Sequence, residues 1–282
     1  MKRLLWVLFL VMSGLAPSLV NAANEEFPMR VRFPDVQVIS TADLAKDYAN
    51  VVIVDVRTKY EFDTLHIKGA ILLPLGPKFG DGVLALRQKS GNKTIVFYCN
   101  GKTCHKSYEA ALLAERARVT NVVAFDAGIF DWAKAQPELT VLRGNSPIKP
   151  TDLISAESFK AHQLEPKAFE ERIGSNSIVL DVRDKRQRDT ALFPFREQRA
   201  QLDDAKKLEA IIDEAKAKNK TLLVYDEVGK QTQWFQYHLE SKGIKDYYFM
   251  KDGAQGYFES TLGKVVLGSG DKSKDKAPPG KN

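Results

Sequence analysis

Val51-Val52-Ile53-Val54-Asp55-Val56-Arg57 recurs as Ser177-Ile178-Val179-Leu180-Asp181-Val182-Arg183, and the two Asp-Val-Arg triplets lie 126 residues apart. Two more pairs follow in the same order. Thr94-Ile95-Val96-Phe97-Tyr98-Cys99 recurs as Thr221-Leu222-Leu223-Val224-Tyr225-Asp226 at an offset of 127. Phe125-Asp126-Ala127-Gly128, followed by Trp132, recurs as Met250-Lys251-Asp252-Gly253, followed by Tyr257, at an offset of 125. A nearly constant offset over three ordered pairs reads as two copies of one domain.

Within each copy the pattern is that of a layered α/β fold. The apolar, β-branched runs Val51–Val54 and Ile178–Leu180 do not alternate, as expected for parallel strands covered on both faces. Thr94–Tyr98 and Thr221–Tyr225 read as second strands, and Asn121–Phe125 and Asp246–Met250 as third ones. Between them, Ser107–Arg118 and Thr232–Lys242 read as helices, with Ser107 as the N-cap of the first. The expectation is an α/β chain with two such domains, each a mainly parallel central sheet flanked by helices. Residues 36–142 form the first domain and 153–264 the second. Residues 143–152, with Gly144, Pro147 and Pro150, read as a linker, and 268–282 as a disordered tail.

The chain has 282 residues, with 42 Lys+Arg against 36 Asp+Glu. Two of those positives, Lys2 and Arg3, precede an apolar run from Leu4 and the small-x-small triplet Val20-Asn21-Ala22. Residues 1–22 therefore read as a cleaved signal peptide, which places the protein in the periplasm, with no membrane segment after cleavage. The remaining charge is too mild, and too little interleaved with aromatics, for a nucleic-acid partner. Only two cysteines are present, Cys99 and Cys104, too few for a disulfide framework. Their chemistry is local.

Cys99 directly follows a predicted central strand, where open α/β sheets bind ligands. The candidate binding loop is Cys99-Asn100-Gly101-Lys102-Thr103-Cys104-His105-Lys106-Ser107. Backbone N–H groups in such a loop can form an anion nest, and the following helix adds its positive end. Lys102, Lys106 and protonated His105 are expected to add side-chain positives. All of these favour the reactive thiolate of Cys99.

Asp55-Val56-Arg57, Glu61-Phe62, His66-Ile67-Lys68-Gly69-Ala70 and Pro74 together resemble the early signature of rhodanese domains, the sulfurtransferases. Phe97-Tyr98-Cys99 with its Gly-bearing loop resembles their active-site loop, and Asp126-Ala127-Gly128 with Trp132 their closing signature. The second copy matches more weakly and lacks the His-Ile-x-Gly-Ala run. The resemblance implies that Cys99 is the catalytic nucleophile. It would take a sulfane sulfur from thiosulfate or a related donor as a persulfide and pass it to cyanide or a thiol. It also implies a small sulfur-containing substrate, a candidate protein thiol acceptor, no cofactor and no metal. Asp55, Arg57, Glu61 and His66 are expected to be structural, and Trp132 and Trp234 core or rim aromatics.

Asp226 stands where the first copy has Cys99, so the second copy is expected to be inactive. The loop also departs from the family pattern, because Cys104 stands where Arg or Ser is common. Cys104 is a candidate resolving thiol or a spacer, and its pairing with Cys99 stays open. A thiol-redox or sulfur-relay protein using both cysteines is one alternative, and a non-catalytic binding module another. A zinc site from Cys99, Cys104 and His105 lacks a fourth ligand. A phosphatase would need Arg where His105 stands. Lys185, Arg186, Arg188, Arg196 and Arg199 form a basic stretch, read as a solvated surface loop or a docking face.

Overall fold

The computed structural model describes residues 26–262. The expected signal peptide and the segment expected to be a disordered tail lie outside them. The chain divides into two compact units. One holds the residues up to Thr58 together with Leu65–Val141, the other Lys59–Thr64 with the residues from Leu142 onward. The short helix Lys59–Thr64 thus groups with the second unit, although its chain position lies inside residues 36–142.

In the first unit, β1 (Val52–Asp55), β3 (Ile71–Leu72), β4 (Ile95–Tyr98) and β5 (Val122–Phe125) form a parallel sheet in the order β3-β1-β4-β5. Val54 faces Phe97 in register, and Tyr98 faces Phe125. The sheet continues as a single parallel bridge from Val38 to Ala124. Strand β4 is buried at all four residues, which is why its sequence shows no alternation. β2 (Leu65–Ile67) pairs separately with β6 (Thr140–Leu142). Helix α1 (Lys106–Arg116) lays Tyr108, Ala110, Ala111 and Ala114 on the sheet. Three small residues on one helix face allow a close helix-to-sheet approach.

The second unit has a five-stranded parallel sheet in the order β7-β11-β10-β8-β9. Its strands are β7 (Gln163–Leu164), β8 (Ser177–Asp181), β9 (Glu197–Arg199), β10 (Thr221–Tyr225) and β11 (Tyr247–Met250). Read from β9, the order runs β9-β8-β10-β11-β7, the same succession along the chain as in the first sheet. Ile178, Leu180, Leu222 and Val224 meet Leu208, Ile212, Phe235 and Leu239 of the covering helices. Both units are therefore α/β layers with parallel central sheets flanked by helices. No helix among the described residues is long and apolar enough to cross a membrane.

Residues 143–152 are a chain of tight turns. Arg143 and Gly144 take positive φ, Leu142 bridges Asn145, Ser146-Pro147 is cis, and Pro150–Asp152 forms a 3-10 turn.

The basic stretch is not a solvated loop throughout. Asp184 caps the short turn Lys185–Gln187, and Arg188 donates to the Asp181 carbonyl at 3.4 Å. Arg196 donates to the Ile173 carbonyl at 2.6 Å. Arg199 lies in strand β9 and its Nε donates to Glu197 at 2.9 Å. Three of the five basic groups thus find partners within their own unit.

Candidate functional site

Cys99 follows β4 directly and is 1% exposed. Its carbonyl accepts from Ile129 N–H at 3.0 Å, which fixes the end of the strand against the start of helix α2 (Gly128–Ala135). The chain then turns, with Cys104 N–H donating to the Gly101 carbonyl at 2.8 Å. That turn carries Cys104 back toward Cys99. The two are joined as a disulfide with their Cα atoms 6.5 Å apart, inside the usual range. The pairing that the residue spacing leaves open is thus formed in the structure.

The loop is held from three directions. Gly128 has φ +70° and lies so close to Gly101 and Asn100 that any side chain there would overlap their backbone. Arg57 donates to Asn100 Oδ1 at 3.2 Å. Ser107, fully buried, places Oγ 3.7 Å from Cys99 Sγ, within hydrogen-bond reach of a sulfur.

Ser107 therefore has a different role from the one its residue type suggests. Helix α1 starts at Lys106, and its N-cap position is His105, whose side chain makes no capping bond. The hydroxyl of Ser107 turns inward to the sulfur instead. The basic side chains also differ from expectation. Lys102 Nζ pairs with Glu26 at 2.7 Å and Asp131 at 3.3 Å, and lies 5.2 Å from the Phe27 ring. The bond to Glu26 holds its ammonium above the ordinary lysine range. His105 Nε2 lies 3.6 Å from Glu109. Both side chains are thus turned to carboxylates. Thr103 is exposed and Lys106 half-buried.

Beneath the loop, Arg57 and Asp55 form a fully buried pair. Arg57 donates from Nε at 2.9 Å and from Nη2 at 2.7 Å, and Nη2 also reaches the Leu65 carbonyl at 2.6 Å. Burial pushes the neighbouring Tyr98 phenol well above its ordinary range, so its oxygen stays protonated. It accepts from Ile67 N–H at 3.1 Å.

The second unit repeats these devices without the thiol. Arg183 donates to Asp181 from Nε and Nη2, each at 3.0 Å. Gly253, at φ +57°, packs against Asp226 and Glu227. Ala254 N–H donates to the Asp226 carbonyl at 2.8 Å, as Ile129 does to Cys99. The Asp226 carboxyl is buried and accepts from the backbone N–H groups of Gly229, Gln231 and Thr232. Burial raises its pKa, and those donors work against the rise. The loop therefore closes on its own side chain.

The Cys99 loop lies inside a segment with recognisable relatives. Residues 40–135 match the rhodanese-like domain family. That segment, most of it in the first unit, is therefore similar to rhodanese-like domains. MoeZ of Mycobacterium tuberculosis, which carries the name adenylyltransferase/sulfurtransferase, is 36% identical over 91 residues, 32% of this chain and 22% of MoeZ. An HTH-type transcriptional regulator of the same organism is 32% identical over 99 residues, 34% of this chain and 42% of the regulator. The chain thus spans about a fifth of MoeZ and under half of the regulator. Among solved structures, thiosulfate sulfurtransferase from Pseudomonas aeruginosa aligns with 80% of this chain and 42% of its own. That alignment has 17% identity and a TM-score of 0.37.

Four residues that hold the site are not in the Cys99 loop: Arg57, Gly128, Glu26 and Asp131. Arg57 and Gly128 stand in the repeated triplet and the repeated closing segment, which is a usable sequence signal. Glu26 and Asp131 carry none. Among the described residues, no cluster of three or more His, Cys, Asp or Glu is placed to hold a metal.

Proposed function

We propose that the protein is a sulfurtransferase that works through a persulfide on Cys99. The observation that carries this reading is the position of Cys99. It ends the central strand of a rhodanese-like domain, in a loop locked by Gly128 and Arg57, at the start of an eleven-residue helix. With the disulfide reduced, the Cys99 thiolate would attack the outer sulfur of thiosulfate or a related donor. The donor S–S bond breaks, and sulfite leaves with the electron pair. A thiol or cyanide then takes the sulfane sulfur and restores the thiolate. The positive end of the helix and the Ser107 hydroxyl favour the sulfur anion over the thiol. The substrates are small sulfur compounds, with a protein thiol as the cellular acceptor.

The second unit is read as a degenerate, inactive copy. Its sheet order, its Asp181–Arg183 pair and its Gly253 contact support the copying, and Asp226 supports the loss of activity. A carboxylate cannot carry a sulfane sulfur in this way. Residues 1–22 are read as a cleaved signal peptide that delivers the protein to the periplasm. The Cys99–Cys104 disulfide fits an oxidising compartment.

The test is cyanide-dependent thiocyanate formation from thiosulfate by the reduced protein. Cys99→Ser abolishes it on this reading, and full turnover in that variant would falsify the assignment. N-terminal sequencing of protein from the periplasmic fraction is expected to begin at Ala23.

A further inference from the structure

We propose that Cys104 discharges the Cys99 persulfide inside the loop, so that the protein also reduces thiosulfate to sulfite and hydrosulfide. This inference rests on the sulfurtransferase reading and adds a second fate for the sulfur. Three observations carry it. The two cysteines are joined as a disulfide, so the loop brings their sulfurs to bonding distance in this conformation. The turn closed by Cys104 N–H on the Gly101 carbonyl at 2.8 Å holds Cys104 on that side of the loop. Cys99 is 1% exposed whereas Cys104 is half-buried, so an external thiol meets Cys104 before it meets Cys99.

The chemistry balances with two thiols. The Cys99 thiolate takes the sulfane sulfur and sulfite leaves. Cys104 then loses its proton, and its thiolate attacks Cys99 Sγ. The bond between Cys99 Sγ and the outer sulfur breaks, and hydrosulfide leaves with that electron pair. Two thiols are oxidised to one disulfide while the sulfane sulfur is reduced to sulfide. An external dithiol of the oxidoreductase type returns the two electrons and reopens the cycle. A thiol on the same loop acts at an effective concentration of about millimolar or above, so it competes well with free thiols. The preceding class of reaction must supply a sulfane donor. The following class must consume sulfide or sulfite.

A single-turnover experiment tests this. The full chain is reduced, freed of reductant and mixed with excess thiosulfate, without cyanide or added thiol. Sulfite and sulfide are measured, together with the intact mass. The wild type is expected to release one sulfite and one sulfide per chain and to end lighter by two hydrogens. Cys104→Ser is expected to release no sulfide and to end heavier by one sulfur atom. Cys104→Ala serves as a second variant, with circular dichroism confirming the fold of both. A wild type that releases sulfite but keeps the extra sulfur overturns the resolving step and leaves the sulfurtransferase reading intact. Equal sulfide from wild type and both variants also overturns it. A wild type that yields neither sulfite nor added mass overturns both readings.

Discussion

Arg57 holds Asp55 with two donors, at 2.9 and 2.7 Å, while its remaining nitrogen reaches Asn100 at 3.2 Å in the Cys99 loop. A fully buried ion pair is therefore also the floor of the candidate site. Lysine cannot reproduce this, because it offers a point charge where the planar fork makes several directed bonds.

Arg57→Lys and Arg57→Met are expected to destabilise the first unit by about 3–5 kcal/mol, the cost of breaking a buried pair from one side. The double variant Asp55→Val, Arg57→Met is expected to recover part of that loss. Urea midpoints check this. A single variant with an unchanged midpoint contradicts the pair's role.

Gly128→Ala faces two penalties, and Gly144→Ala only one. Both positions have positive φ, +70° and +81°, but only Gly128 is pressed against another backbone. Left-handed geometry alone costs about 1–2 kcal/mol for a residue with a Cβ. Gly144→Ala is expected to show that cost and keep its activity. Gly128→Ala is expected to cost more and to lower Cys99-dependent turnover about a hundredfold by shifting the loop. Equal effects at the two positions would remove the close-approach argument.

Asp226→Ala strips the acceptor from three backbone N–H groups. At about 1–3 kcal/mol for each unsatisfied donor that water does not reach, the second unit loses at least about 2 kcal/mol. Thiocyanate formation is expected to stay within about twofold, because the chemistry is assigned to Cys99 alone. A large loss of turnover with the first unit still folded contradicts the inactive-copy reading.

His238 gives the pH dependence. Burial holds its imidazole below the ordinary histidine value, Arg143 adds to this, and Glu209, with an oxygen 2.9 Å away, opposes it. Lys242 also disfavours the charged form. Below about pH 6.5 the unfolded chain then binds more protons than the folded one, so stability falls as pH drops through that value toward the folded pKa. Titration of the His238 ring protons by NMR is expected to give a value below 6.5. His238→Gln is expected to flatten the loss of stability between about pH 7 and pH 5. A titration midpoint above 6.5 reverses the sign and refutes the prediction.

The sheets were legible in the sequence because strands buried on both faces write themselves as unbroken runs, such as Ile95-Val96-Phe97-Tyr98. The position of Cys99 was legible for the same reason, since it is where such a run stops. The partners of the loop were not. Lys102 meets Glu26 across 76 residues, and no local pattern encodes an ion pair of that span. Ser107 has the residue type of a helix cap, yet burial beside a sulfur outweighs capping once the helix packs on the sheet. β9 was read as part of a basic loop because Glu197-Gln198-Arg199 has no apolar residue. It is an edge strand whose three residues are all half-buried, so it needs no apolar run.

The pair between Lys102 and Glu26 has a consequence for how the leading segment responds to salt. Its side chains are 34% and 58% exposed, so added electrolyte screens it strongly. The stacking of Phe33 on Tyr108, with ring centres 5.1 Å apart, does not depend on charge. Raising the ionic strength therefore loosens the segment at Glu26, while Phe33 and the pair of Arg30 with the buried Asp126, at 2.7 Å, keep the following residues in place. Proteolytic nicking between Glu26 and Arg30 should then rise with salt concentration.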